Sequence, residues 1–540
     1  MPLGLPRELQ GLLRPSAYPH PVERVELVET HLSWVLLAGE YAYKIKRPVQ
    51  YAFVDLRDPR RREFYCAEEL RLNRRFAPEL YLGVCDIVAA GGDARIGVPG
   101  EAIEHAVQMR RFCREDELDR LLQTRRIEPI ELEEFGRLLA LTHTRLPAAQ
   151  NGSGWGRPTA VAALLLTNLA ECAQAAALFQ RATEVSALRP RLEEEIELTR
   201  ACMNLRQHNG SIRECHGDLH TRNIVRLGRR LVPFDCLEFE PAFRWIDVAD
   251  ELALLLSDLI AHERPLHAYA LRSGYLAQSG DYQACRVLGL YQAHRALVRA
   301  KVAALSAREA QAQARQALRD EHARLLACAR ASLTPVRPVL LVMCGVSGSG
   351  KTWLARLLAE RLNAIHLRSD IERKRAAALE PQAHTGSGLA TGLYSREMTE
   401  RVYDHLAGCA QDALAGSFNV IVDATCLRRS ERARFRALAR QQVVELRVIH
   451  CQAPEATLRT RVASRRRAGH DASEADVRVL EWQIGQFEAI APDEKLQVIG
   501  ADSTDGQVFG NVLSAISRSV SPGESPPRVS SHEDDLAFLQ

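Results

Sequence analysis

Two sets of residues in this chain have the types and spacing that phosphate chemistry needs. His216-Gly217-Asp218-Leu219-His220-Thr221-Arg222-Asn223 carries an Asp and an Asn five residues apart, and Phe234-Asp235 follows shortly. A loop Asp in such a pattern accepts the proton of an attacking hydroxyl, and the Asn reaches a metal ion. Here those are Asp218 and Asn223. The stretch 224–233 reads as a hairpin turning at Gly228, which returns Asp235 to Asn223 as the principal metal carboxylate. The alternative, a plain turn with an ordinary Asp at a strand end, leaves the ordered Asp, Asn, Asp triple unexplained.

The second set is Gly345-Val346-Ser347-Gly348-Ser349-Gly350-Lys351-Thr352, after an apolar run from Val339 and before a helix expected over 353–361. Glycines here let backbone N–H groups approach phosphate oxygens, Lys351 reaches the β- and γ-phosphates, and the Thr352 hydroxyl binds magnesium. A second strand runs into Ser369-Asp370-Ile371-Glu372-Arg373, and a third ends at Asp423, a further metal carboxylate. No second acidic residue follows Asp423 to activate water, and no Asn-Lys-x-Asp marks guanine. Arg459, Arg461, Arg465, Arg466 and Arg467 form either a lid over phosphates or a solvated basic face. Both sets imply ATP and Mg2+, on different folds.

The elements that position these residues fall into two patterns. Strand-like stretches at 25–28, 34–37, 41–46, 81–88 and 106–112 surround one helix at 60–76. From 115 to 333 the periodicity is mostly helical, broken by a strand-like patch at 212–234. The Ala-, Arg- and Gln-rich stretch 299–331 reads as one amphipathic closing helix, a coiled-coil arm being the alternative. Thr334-Pro335-Val336-Arg337-Pro338 is a stiff linker. Strands at 339–344, 365–368, 419–423, 444–451 and 496–499 then alternate with helices, the mark of a parallel α/β sheet. The expected boundaries are a small strand-rich lobe (15–112), a helical lobe (113–333), the linker (334–338), a P-loop domain (339–517) and a Ser- and Pro-rich disordered tail (518–540).

Composition sets outer bounds. The 540 residues exceed one core, and a formal charge of +3 is too small to argue for nucleic acid or an anionic membrane as partner. No apolar run is expected to reach membrane length, and the start lacks a charged leader with an apolar core. The thirteen Cys form no C-x-x-C pair and read as buried hydrophobes in a reducing compartment. A cytoplasmic protein acting on a small hydroxyl compound is the expectation; oligomeric state stays open.

His216 to Asn223 with Phe234-Asp235 resembles the aminoglycoside phosphotransferase family of the protein-kinase-like fold. That resemblance implies a bilobal α+β domain in which a strand Lys holds the α- and β-phosphates and pairs with a helix Glu. Lys44 with Glu69 is the chosen pair, with Lys46 and Glu68 as alternates, one lysine being a solvated edge residue. It also implies that backbone groups of 104–109 form the hinge that meets adenine. Thr30-His31-Leu32-Ser33 departs from the pattern: lacking G-x-G-x-x-G, it leaves phosphate contact to other N–H groups or Ser33. Asp247 and Asp250 resemble the acidic helix start after the metal Asp, with helix capping as the alternative role.

The second half resembles P-loop kinases grouped with polynucleotide kinase, gluconate kinase and zeta toxin. By that resemblance Asp370 contacts or deprotonates the acceptor hydroxyl, Arg373 helps hold substrate, and 385–393 is a mobile substrate loop; Arg461 and Arg465 are the lid candidates within the Arg-rich run. The pairing resembles bacterial fusions described as bifunctional aminoglycoside phosphotransferase/ATP-binding proteins. Two further readings remain: a regulatory protein with one ATP site as a switch, and a nucleic-acid end kinase, which the near-neutral charge disfavours.

Overall fold

The computed structural model describes residues 4–51, 54–150, 152–379, 395–468 and 475–517. They form two compact units. One runs to Arg337 and includes Ala415–Ser417; the other takes Pro338–Leu414 and the residues from Phe418 on.

The first unit opens with an antiparallel sheet of β1 (Val25–Glu29), β2 (Ser33–Ala38), β3 (Tyr41–Lys46), β4 (Tyr81–Ala90), β5 (Asp93–Ile96) and β6 (Ala102–Arg110), in the order β1-β2-β3-β6-β4-β5. Alternation decides which side chains go to each face. Trp34, Leu36, Tyr43 and Ile45 pack under Leu9 and Leu12 of the N-terminal segment. Ala42, Val107 and Met109 face the other way, against Cys66 and Leu80. Cys66 belongs to α1 (Pro59–Asn73), which starts where the Asp58 side chain accepts from Arg60 N–H and Pro59 fills the first turn. β3 lies between β2 and β6, so neither Lys44 nor Lys46 is an edge residue, which corrects the expectation for one of them. The stretch 104–109 is no hinge either. Its backbone is laddered to β4 throughout and to β3 from Ala106 on, because Ala102–Arg110 alternates as an interior strand.

The rest of this unit is helical: α2 (Pro129–Arg145), α3 (Pro158–Ala176), α4 (Arg189–His208), α5 (Val248–Ala261), α6 (Pro265–Ser279), α7 (Cys285–Ser306) and α8 (Ala312–Leu333). Between α4 and α5 lie β7 (Ile212–Glu214), β8 (Ile224–Leu227), β9 (Arg230–Pro233) and β10 (Trp245–Asp247), paired antiparallel as β8–β9 and β7–β10. The single closing helix expected over 299–331 is instead two. α7 stops near Ala307, and Arg315 of α8 donates to the Ala307 and Ala310 carbonyls at 3.0 and 3.1 Å, holding the turn. Buried Ala300, Ala303, Ala304 and Ala307 are small enough for helices to pack closely there. The expectation about apolar runs also needs correcting: 158–179 is long and apolar enough to cross a membrane by length and composition. Its Leu165, Asn168, Leu169 and Cys172 are buried, and α3 packs on α7.

The second unit is a five-stranded parallel sheet of β11 (Val339–Cys344), β12 (Ile365–Arg368), β13 (Val420–Asp423), β14 (Glu445–Gln452) and β15 (Gln497–Asp502), in the order β12-β13-β11-β14-β15. Central β11 reads V-L-L-V-M-C and is buried almost throughout, as a strand covered on both faces must be. Its helices are α9 (Lys351–Arg361), α10 (Ser369–Ala376), α11 (Arg396–Ala415), α12 (Arg429–Gln442), α13 (Glu455–Ala468), α14 (Val477–Gln486) and α15 (Val508–Ser517). Strand order reverses at β11, the topological position where open α/β sheets bind ligands. The chain is thus an α+β unit, an antiparallel sheet followed by helices, and then an α/β unit with a parallel sheet and a P-loop. The expected tail at 518–540, and the segments 385–393 and 469–474, lie outside the described residues.

Candidate phosphate-handling sites

In the first unit α5 holds the 216–223 loop from below. Gly217 has φ +88, and a Cβ there would come within 2.9 Å of Phe243 O, so only glycine fits. Its N–H donates to Glu251 Oε2 at 2.8 Å. Thr221 gives both its N–H (2.9 Å) and its hydroxyl (2.6 Å) to Asp258 Oδ2. Glu251 and Asp258 are two turns apart on one face of α5. Burial pushes the Glu251 carboxyl up, but His143, 3.1 Å away, outweighs it and holds the group down at about 2. Buried His216 donates from Nε2 to Phe234 O at 2.9 Å, tying the loop to the end of the hairpin.

On that support Asp218 and Asn223 meet. Asn223 Nδ2 donates to Asp218 O at 3.0 Å and to Asp218 Oδ2 at 3.2 Å, and His220 Nε2 is 3.4 Å from the same carboxylate oxygen. Desolvation raises the Asp218 pKa, but His220 and then Arg299 outweigh it and hold the group below the ordinary carboxylate range. Its side chain is 37% exposed, so a solute can reach it.

The hairpin pairs Ile224 with Pro233 and Leu227 with Arg230, turning at Gly228. Phe234 N–H then donates to Asn223 O at 2.9 Å, which sets Asp235 beside Asn223. Asp235 has φ +67, a left-handed conformation costing about 1–2 kcal/mol for a residue with a Cβ. Two anchors impose it: Asp235 N–H donates to Tyr81 Oη at 3.0 Å, and Cys236 N–H to Asn73 Oδ1 at 2.9 Å. A strained residue fixed on both sides is common where chemistry is done.

Lys44 Nζ lies 2.8 Å from Glu69 Oε1 and ion-pairs with Asp235 Oδ1. Lys46, 1% exposed, pairs with Glu69 Oε2 and with Glu238, so the buried Glu69 receives both ammonium groups. Burial lowers the Lys44 pKa, but Asp235 and Glu69 outweigh that and raise it well above its usual value. Lys44 is therefore the lysine that reaches Asp235. Glu68 is engaged elsewhere, by Arg71 and Arg244. At the 30–33 turn, Ser33 is buried; Thr30 N–H donates to Ser33 O and Ser33 N–H to Thr30 Oγ1, both at 2.9 Å, so neither group faces a phosphate. Asp247 caps α5, accepting from Ala249 N–H at 2.8 Å, and Arg206 grips it with two 2.7 Å bonds; Arg295 grips Asp250 the same way. Both are structural contacts.

In the second unit the loop from Gly345 to Gly350 wraps from β11 into α9. Gly348 and Gly350 both have φ +83, and a Cβ on Gly350 would meet Ser503 Cβ at 2.7 Å. Lys351 Nζ donates to Val346 O at 2.7 Å and lies 3.4 Å from Ser349 Oγ, folded onto its own loop. Burial lowers its pKa, against Asp423 and Asp370, which favour the charged form. Ser347 N–H donates at 2.7 Å to Gln483 Oε1, brought in by α14. Asp423, at the end of β13, is buried, and His366 Nε2 lies 3.2 Å from its Oδ2. Thr352 and Asp370 are half-buried in the first turns of α9 and α10.

The arginines divide. Arg461 donates to Gly348 O at 3.3 Å, to Ser503 Oγ at 2.6 Å and to Ser503 O at 3.1 Å, so it lies against the loop. Arg465 donates to Ala475 O at 3.3 Å. Arg459 makes exposed ion pairs with Glu455 and Glu481, as on a solvated face. The Arg466 and Arg467 side chains lie outside the described residues. Arg373 is buried and donates to Thr399 Oγ1 at 3.2 Å. Sequence reasoning missed Glu251, Asp258, Glu238 and Gln483. The first two repeat at helical spacing on one face, a signal that was present; Glu238 and Gln483 carry none.

The donor sets fit a hard divalent cation. Asn223 with Asp235, and Thr352 with Asp423, offer oxygen ligands of the kind magnesium takes. The 44% exposure of the Asp235 side chain, with Lys44 beside it, leaves room for a charged ligand.

Over 489 residues the chain is 29% identical to uncharacterized proteins of Mycobacterium tuberculosis and of Mycobacterium bovis, covering 88% of this chain and 95% of each relative. Among solved structures, a choline/ethanolamine kinase family protein from Mesorhizobium loti aligns with 58% of this chain and 94% of its own, at 14% identity and a TM-score of 0.33. A gluconokinase from Sinorhizobium meliloti aligns with 34% of this chain and 94% of its own, at 21% identity and a TM-score of 0.24. Residues 340–490, within the P-loop unit described above, match the model of the AAA domain family (AAA_33).

Proposed function

We propose that this chain is an ATP-dependent phosphotransferase with two nucleotide sites, each passing the γ-phosphate of ATP to a hydroxyl group of a small molecule. The observation that carries it is the convergence in the first unit: Asp218, Asn223 and Asp235 are gathered by one hairpin, and the Lys44–Glu69 pair reaches the same carboxylate. Asn223 and Asp235 in one site, and Thr352 and Asp423 in the other, would hold magnesium, which would supply charge neutralisation at the phosphates.

In the first site Lys44 orients phosphate oxygens while Glu69 keeps its ammonium charged. Asp218 accepts a hydrogen bond from the acceptor hydroxyl. Because its carboxyl is held below the ordinary range, it is ionised at neutral pH and a weak base. The hydroxyl proton therefore passes to it late, as the new O–P bond forms and the bond to ADP breaks. Orientation is its main contribution, as expected where the transferred group passes through a loose transition state.

In the second site the P-loop N–H groups and Lys351 receive the phosphates, with Lys351 turning away from Val346 O as they arrive. Asp370 faces the acceptor, Arg373 holds it, and Arg461 stands over the loop. Full-length protein and the variants Asp218→Asn, Asp370→Ala and the double variant are to be screened for acceptor-dependent ADP release with sugars, amino alcohols, aminoglycosides and oligonucleotides. Two acceptor classes are expected, each lost in one single variant. ADP release that no acceptor stimulates, unchanged in the double variant, defeats the proposal.

A further inference from the structure

Glu372, His405 and Cys409, none of them placed in either phosphate site, bring three different ligand atoms within 4.8 Å of one another. Glu372 lies on α10, two residues past Asp370; His405 and Cys409 are one helical turn apart on α11 and share a face. His405 Nε2 is 3.0 Å from Glu372 Oε2 and 3.5 Å from Cys409 Sγ. A tetrahedral zinc ion has bonds of about 2.0 Å to N and O and about 2.3 Å to S, which sets ligand separations of roughly 3.3 Å for N···O and 3.5 Å for N···S. The N···S edge already has that length, the N···O edge must open by only a few tenths of an ångström, and the O···S edge lies within 4.8 Å.

Burial and support agree with the distances. Glu372 and Cys409 are buried, while the His405 side chain is 45% exposed, which gives an ion a way in and a solvent-facing fourth position. Arg375 donates to Glu372 Oε2 at 2.9 Å and to Oε1 at 3.3 Å, the sort of bond that orients a ligating carboxylate. A nitrogen, a sulfur and an oxygen donor together suit zinc better than magnesium. Among the described residues a second such cluster, His143, Cys215 and Glu251, lies in the first unit, where Glu251 accepts from Gly217 N–H and lies against His143, whose other nitrogen meets Tyr275 Oη at 2.9 Å.

We propose that Glu372, His405 and Cys409 form a zinc site that ties α10, the helix of Asp370 and Arg373, to α11. Binding displaces the Cys409 thiol proton to solvent and leaves the His405 proton on Nδ1, so that Nε2 coordinates. The site stands whether or not the phosphotransferase reading does.

The test uses full-length protein stripped with EDTA and titrated with zinc, and with cobalt as a spectroscopic stand-in. Expected are one zinc per chain and a thiolate-to-cobalt charge-transfer band. Cys409→Ser and His405→Gln should each remove the band and weaken zinc binding at least about tenfold, while Cys113→Ser, at an exposed cysteine, keeps both. With free zinc about a hundredfold above Kd, the unfolding transition of this unit should rise by roughly 5–10 °C in the parent and not in the two ligand variants. His405→Gln changes a part-exposed side chain, and its melting in EDTA should match the parent. Absence of the band, its survival in Cys409→Ser, or equal zinc affinity in all forms overturns the proposal.

Discussion

Asp218 and Asp370 carry the sharpest expectations. Asp218→Asn keeps the bond to Asn223 within reach but removes the carboxylate that orients the hydroxyl, so transfer at the first site should fall by about 10² to 10⁴ with nucleotide affinity preserved. Titration calorimetry beside an acceptor-dependent ADP assay checks both halves, and full turnover would refute the role. Asp370→Ala should leave ATP affinity nearly unchanged and remove transfer at the second site; a brisk acceptor-independent ATPase surviving it would identify a switch or motor instead. At this scale the sequence was informative where a motif fixes spacing. Asp218, Asn223 and Asp235 are found together because a four-residue ladder with a tight turn leaves the chain few other paths. The choice between Lys44 and Lys46 was open, since both side chains leave β3 on the same face and both reach Glu69. Only the third partner separates them, Asp235 for one and Glu238 for the other, and no sequence rule gives that.

At the scale of elements, α5 works as a rail under the 216–223 loop. Glu251 has a folded pKa of about 2 against an ordinary 4.5, so the stability it contributes is present above 4.5 and lost as pH falls toward 2. Glu251→Gln should flatten the pH dependence of melting across that window, at a cost of about 3–5 kcal/mol near neutrality because buried His143 loses its partner. Chemical denaturation at several pH values measures both, and an unchanged acid slope would mean Glu251 is not ionised there. α14 invites a second test: Gln483→Ala frees the Ser347 N–H and should tighten nucleotide binding at the P-loop, whereas weaker binding would mean Gln483 supports the loop in its working shape. Strand and helix types were readable from alternation and from the P-loop context. The break between α7 and α8 was not, because Ala, Arg and Gln favour helix straight through the turn and a tertiary contact from Arg315 holds it. The hinge was misplaced for a related reason: 104–109 alternates as a strand, and that local pattern is a better guide than the position the family resemblance implied.

At the scale of the whole molecule, the two units have different cores, and the Pro-rich stretch 334–338 joins them. We expect them to fold separately, so calorimetry should resolve two transitions and limited proteolysis should cut near the linker; one inseparable transition with no such cut would count against this. The cysteines offer an independent way to watch it. None is in a disulfide, and Cys113 is the exposed one among the thirteen. Burial holds the thiols of Cys66 and Cys85 near 12 and those of Cys172, Cys328 and Cys344 near 11, where almost no thiolate exists at neutral pH. The native chain is thus a mostly buried set of latent labels, with Cys113 open and Cys85 and Cys202 partly exposed. Nine of them report on the first unit and four (Cys344, Cys409, Cys426 and Cys451) on the second. A short alkylation pulse read by mass spectrometry therefore works as an address code, in which the mass added to each chain names the half that has opened, with no engineered probe.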